Sequence, residues 1–89
     1  MNNNNMVFMK LNDILIDHYD CFNRERFYLD EVNVKTDFIS IVSSIEDSCP
    51  VKLCKNIAKF TYQQAVKLGM NPPFIYVGAW AIRTDKFSQ

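Results

Sequence analysis

His18 and Cys21 stand three residues apart, a spacing that on a helix places an imidazole and a thiol on adjacent turns of one side. Cys49 and Cys54 flank the start of the third helical pattern, so the chain offers four soft or borderline ligands, the number a structural zinc site takes. The same groups suit nucleophilic chemistry. Cys49 precedes a helix, where partial positive charge favours a thiolate, and His18 is the one imidazole available as a base. Neither set is completed by an orienting third group or an oxyanion motif. Cys54 falls on the apolar side of its helix and His18 within an apolar stripe, positions typical of core residues. The expectation is therefore three reduced thiols, a buried histidine, no catalytic residues, no metal and no cofactor. A zinc-stabilised or thiol-based enzyme ranks third among the function classes.

A second chemistry is electrostatic. Residues 1–47 carry four basic and nine acidic side chains, residues 48–89 six and one, so a net charge of zero splits into poles of −5 and +5. No carboxylate occurs between residues 48 and 84, the window that holds Lys52, Lys55, Lys59, Lys67 and Arg83. At helical spacing these lysines share a face with Asn56 and Gln63, whereas Asp13, Asp17 and Asp20 form an acidic stripe on the first helix. Lysines in first turns oppose the helix macrodipole by a few tenths of a kcal/mol each, roughly, so Lys52 and Lys55 are placed against local preference. A basic stripe of this kind suits an acidic protein surface or phosphates. It lacks the arginines and aromatics that read bases, so nucleic-acid binding through it would be sequence-blind.

Asn71-Pro72-Pro73-Phe74 resembles the catalytic tetrapeptide of adenine-N6 DNA methyltransferases. In that family the Asn side chain and the neighbouring carbonyl bind the target amino group, and the tetrapeptide follows an apolar strand. Here it follows a helix and precedes the strand, and no Gly-rich loop for a methyl donor occurs. The local reading is a connector in which two prolines stop a helix.

The elements that must hold these residues follow from periodicity. Leu11, Ile14, Leu15, Tyr19 and Phe22 predict a helix over 11–22, and alternation of Phe27 and Leu29 with Tyr28 and Asp30 predicts a strand over 27–34. Thr36 or Asp37 would cap a helix to about residue 47 that buries Phe38, Ile41, Val42 and Ile45. Ser48 and Pro50 open a third helix, with Cys54, Ile57, Ala58, Thr61, Ala65 and Leu68 inward and Gly69 closing it. Residues 74–82, apolar on both alternating faces, predict a strand covered on each side. The result is a small α+β domain of order α-β-α-α-β over residues 6–86, between a disordered tail at 1–5 and a frayed one at 87–89. Two strands make a poor sheet. Residues 7–9 would add a third, or 74–82 would pair with a second copy, giving a homodimer with Trp80 near the shared surface.

At 89 residues, 48% hydrophobic and 22% charged, the chain fits one domain of modest core. Its longest apolar run, 74–82, is about half of the roughly 20 residues a membrane span needs. With no secretory leader pattern, the expected compartment is the cytoplasm and no membrane is expected as partner. Nine asparagines and eight isoleucines point to an AT-rich genome such as a viral one. The function expected is a non-catalytic protein-binding module, an inhibitor of a host factor encoded by a virus or mobile element. Its binding residues would be Lys52, Lys55, Lys59, Gln63, Lys67 and Arg83 on one side and Asp13, Asp17 and Asp20 on the other. The runner-up is a nucleic-acid-binding regulator that uses the lysine helix.

Overall fold

The computed structural model describes residues 3–30, 38–44 and 51–87, with side chains from Met6 in the first helix and from Lys52 in the second. Its order is α1 (Asn3–His18), β1 (Phe27–Leu29), β2 (Ile39–Ser43), α2 (Val51–Lys67), β3 (Phe74–Val77), β4 (Trp80–Arg83) and a 3-10 turn, Thr84–Phe87. The four strands form one mixed sheet in chain order. The α+β class holds; the order differs from α-β-α-α-β at two elements and at both ends.

α1 begins well before residue 11 because the apolar period extends upstream to Phe8, which is buried with Leu11 and Leu15. Residues 3–5 are therefore helical where a disordered tail was expected, and residues 7–9 are helix rather than a third strand. The helix stops at His18, yet Tyr19 and Phe22 stay packed, because Tyr19 donates its amide to the Leu15 carbonyl (2.9 Å) and Phe22 its own to Tyr19 (3.1 Å). Asn23 then shapes the turn into β1: its side-chain oxygen accepts from the amides of Glu25 and Arg26, both at 3.0 Å.

The helix expected from about residue 36 is instead β2. Phe38, Ile41 and Val42 fit a helical step, but Ile39 and Ile41 also alternate with Ser40 and Val42, and tertiary pairing decides for the strand, to which β-branched residues are suited. β2 lies between β1, antiparallel with Leu29 opposite Ile41, and β3, parallel with Ile41 opposite Val77. The long connection a parallel pair requires is α2. Thr36, Asp37, Ile45, Ser48, Cys49, Pro50 and the expected strand residues beyond Asp30 lie outside the described residues.

α2 has the expected rotation: Cys54, Ile57, Ala58, Thr61 and Ala65 are buried, while Lys52, Lys55, Lys59, Gln63 and Lys67 are exposed. The buried Thr61 hydroxyl is satisfied by the Ile57 carbonyl at 2.7 Å. Gly69, at φ 93°, closes the helix as Met70 donates to the Ala65 carbonyl (2.9 Å), the longer bond of a Schellman ending.

The expected single strand over 74–82 is a hairpin. Gly78 at φ 60° occupies the first position of a two-residue turn, which folds Trp80 back onto Val77 and Ile82 onto Ile75. A glycine inside an apolar run was the signal for this turn. The chain then continues into the 3-10 turn, which ends at Phe87, the first residue of the expected frayed end; residues 88–89 lie outside the described residues. Thr84 is buried, its amide and hydroxyl donating to the Pro73 and Pro72 carbonyls, and Phe87 packs on Tyr62 at 5.9 Å between ring centroids.

Strand parity gives the sheet two unlike faces. Phe27, Leu29, Ile39, Ile41, Ile75 and Val77 are buried against the helices in one core with Leu11, Leu15, Phe22 and Ile57. The other parity presents Tyr28, Ser40, Val42, Phe74, Tyr76, Ala81 and Arg83, none of them buried.

Candidate functional site

α2 places its lysines by the same step that buries Ile57 and Ala58, since any other rotation would bury an ammonium group without a partner. Lys52 to Lys67 spans about 22 Å at 1.5 Å per residue. No residue of its first turn is acidic, so Lys52 and Lys55 sit against the positive end of the helix with no local offset. Between described residues, the ion pair of Arg83 with Asp85 is the only one within 4.0 Å. Asp13, Asp17 and Asp20 are exposed and likewise make no such contact, although α1 packs on α2. The two charge poles therefore do not neutralise each other by direct pairing among these side chains.

The structure does not assemble all the expected binding residues. Lys52, Lys55, Lys59, Gln63 and Lys67 form one face. Arg83 is on β4, with the parity of Phe74 and Tyr76, away from the lysine stripe, and is held by Asp85 at 2.6 Å. Asp13 and Asp17 are one turn apart on α1, and Asp20 follows in the turn beyond it.

The soft ligands are also separated. His18 is exposed rather than in the core, stacked on Phe60 with centroids 3.9 Å apart, while Tyr19 meets the same ring edge-on at 5.6 Å. Cys54 is buried and disulfide-bonded, which corrects the expectation of three reduced thiols and removes its thiolate from any zinc set; Cys21 is free and half-buried. Among the described residues, no three His, Cys, Asp or Glu side chains converge on a point that could hold a metal. Tyr19 donates its hydroxyl to the Asn56 carbonyl at 3.1 Å, and burial raises its phenol pKa, with the charge of Cys21 adding in the same direction.

The tetrapeptide at 71–74 has its polar groups engaged in bracing. Asn71 accepts from the Tyr62 hydroxyl at 3.3 Å through its side-chain oxygen, and the carbonyl of buried Pro72 accepts from Thr84. These contacts tie the end of α2 to the end of β4, as a connector does.

Sequence reasoning missed the aromatic group on the outer sheet face. Phe74 lies 6.3 Å from Tyr76, and Phe38 lies 5.9 and 5.8 Å from the two rings. The signal was the alternation of Phe74 and Tyr76 with Ile75 and Val77, which reads as two apolar faces until one is seen to lack a helix.

No helix among the described residues is long and apolar enough to cross a membrane. No protein-family model, no curated protein and no solved structure matches this chain.

Proposed function

We propose that the chain is a small, non-catalytic protein-binding module of the cytoplasm whose α2 lysine face docks on an acidic surface of a host protein, and that it acts as an inhibitor encoded by a virus or mobile element. One observation carries the docking reading: Lys52, Lys55, Lys59 and Lys67 are all exposed along one helix face with no carboxylate within 4.0 Å among the described residues. Four ammonium groups with no carboxylate partner among the described residues add little to the stability of the monomer. The same arrangement sets a field that guides encounter with an acidic partner.

Sequence-blind binding of nucleic acid by the same stripe is the second reading, favoured by its length of about 22 Å, which matches roughly six phosphates of one strand at about 3.4 Å each. The absence of arginine and aromatic side chains from the stripe places it behind the protein reading.

The test immobilises the full chain and exposes it to nuclease-treated host lysate, beside a 20-base-pair duplex titrated at two salt concentrations. A protein retained after nuclease treatment by the wild type and lost by the Lys55→Glu, Lys59→Glu variant supports the proposal. Retention that disappears with nuclease, together with duplex affinity that drops steeply with salt, transfers the face to nucleic acid.

A further inference from the structure

Cys54 is disulfide-bonded and 1% exposed, whereas Cys21 is a free thiol. A sulfur sealed in the core cannot reach a second molecule, so its bond closes within the chain. The sequence holds three cysteines, at positions 21, 49 and 54, and with Cys21 free the sulfur left for Cys54 is that of Cys49.

We infer that a disulfide between Cys49 and Cys54 clasps the first turn of α2, and that its reduction releases this turn and places the lysine face under redox control. Two observations say what the bond contributes. Among the described side chains of α2, Cys54 is the first that is buried, since Lys52 is exposed and Leu53 half-buried. Packing therefore grips the helix from Cys54 onward and holds the residues before it only through Leu53. Local preference does not make up the difference. The first turn has no acidic residue, Lys52 and Lys55 oppose the macrodipole, and a first turn fixes several dihedrals for each hydrogen bond it gains. A covalent link from Cys54 to a position two residues before Val51 carries the grip of the core back over that turn, in a ring too short to constrain much else.

The compartment decides between a staple and a switch. Thiol reductants keep structural disulfides rare in the cytoplasm, and those that occur there are mostly redox-sensing or catalytic. The inference thus rests on the cytoplasmic protein-binding reading and adds a regulation to its site, because Lys52 and Lys55 are two of the four lysines on the face. In the switching step a thiolate of a dithiol reductant attacks one sulfur of the bond, and the other sulfur leaves and takes a proton. The second thiol of the reductant then attacks the mixed disulfide, frees the remaining cysteine as a thiol and closes the reductant's own disulfide. Two electrons and two protons pass to the chain. With the first turn released, Lys52 and Lys55 leave the line of Lys59 and Lys67, and a partner that engages four ammonium groups in register meets two.

The full chain, purified without reductant, is alkylated by iodoacetamide in denaturant before and after dithiothreitol, and the sites are mapped by mass spectrometry. Alkylation of Cys21 alone is expected before reduction and of all three cysteines after it. Millimolar reduced glutathione should also open the bond. Amide hydrogen exchange then compares the two forms: residues 51–56 should exchange at least tenfold faster in the dithiol form, with β3 unchanged. Cys49→Ser, which leaves the buried Cys54 in place, should exchange like the dithiol form whether or not reductant is present. Three alkylated cysteines before reduction overturn the inference, as does a first turn equally protected in both forms. A bond that persists in glutathione also overturns it, making the disulfide a fixed staple, and so does loss of protection in β3, which would make it a support of the whole fold. None of these readouts involves a partner, so the lysine-face reading can fail with the clasp intact, and the clasp can fail while the lysine face still binds.

Discussion

The two sides of this molecule expose opposite chemistries over the same core. On the helix side, Lys52, Lys55, Lys59 and Lys67 reach into solvent from an element whose other half is buried to the last atom at Ile57 and Ala58. On the sheet side, Phe74 and Tyr76 share their strand with fully buried Ile75 and Val77, one residue away in each direction. A helix separates a polar face from a buried one by half a turn, so the lysines can change without touching the core. A strand separates them by one pleat. Sequence variation on the sheet side is therefore coupled to the strand register in a way that variation on the helix side is not.

The largest expected effect tests that separation. Ile57→Ala should cost about 2–5 kcal/mol, since a fully buried side chain leaves a cavity between α2 and the sheet, whereas Lys59→Ala, two residues along, should stay within about 0.5 kcal/mol. Urea midpoints for the pair measure it directly. Comparable losses would mean that the lysine is not the free group it is taken to be. On the sheet side the same contrast pairs Ile75→Ala, again about 2–5 kcal/mol, with Ala81→Ser, expected near zero in the monomer.

Next in size is the brace between the layers. Thr84→Val keeps the shape of a buried side chain but leaves the buried Pro72 carbonyl without its hydroxyl donor, so a loss of about 1–3 kcal/mol is expected. A thermal midpoint equal to that of the wild type would show that the tetrapeptide at 71–74 is held by other contacts.

How far these features could be read in advance depended on whether one pattern competed with another. The inward face of α2 was readable because Cys54, Ile57, Ala58, Thr61 and Ala65 admit only a helical period and Gly69 ends it, although Leu68, expected inward, is half-buried. β2 was not, because Phe38, Ile41 and Val42 satisfy a helical step while Ile39 and Ile41 satisfy an alternating one, and the choice is made by β1 and β3, which are remote in sequence. The hairpin failed for a different reason: an apolar run hides a turn whose only mark is Gly78. Of the candidate site, the lysine face was visible in the spacing, and the separation of Arg83 from it was not, since that depends on which way β4 folds back.

A smaller effect concerns the lysines themselves. Reversing Lys55 and Lys59 to Glu should leave stability within about 0.5 kcal/mol, and a slight gain is in order because Glu near a helix start matches the macrodipole. Association with a captured partner should slow several-fold, and added salt should produce the same slowing in the wild type. Should stability fall by more than about 1 kcal/mol, the lysines are engaged within the fold, and a compensating Asp13→Lys, Asp17→Lys change should then restore it.

The smallest effect lies where the helices meet, at Tyr19. Its phenol is neutral in the fold, donates to the Asn56 carbonyl, and has its pKa raised above the ordinary value near 10 by burial and then by Cys21. The folded state therefore keeps this proton at a pH where the unfolded chain has begun to lose it. The contribution is whole below about pH 10 and is lost as pH rises through the folded pKa, because the unfolded state then binds fewer protons than the native one. Urea midpoints at pH 8, 9, 10 and 11 should decline more steeply for the wild type than for Tyr19→Phe, which has no proton to lose. Cys21→Ser should fall between them, since it removes the second cause and leaves the first. Parallel curves for all three proteins would mean that the phenol is as well solvated at the helix junction as in the unfolded chain, and that the helix side of this molecule is sealed only below α2.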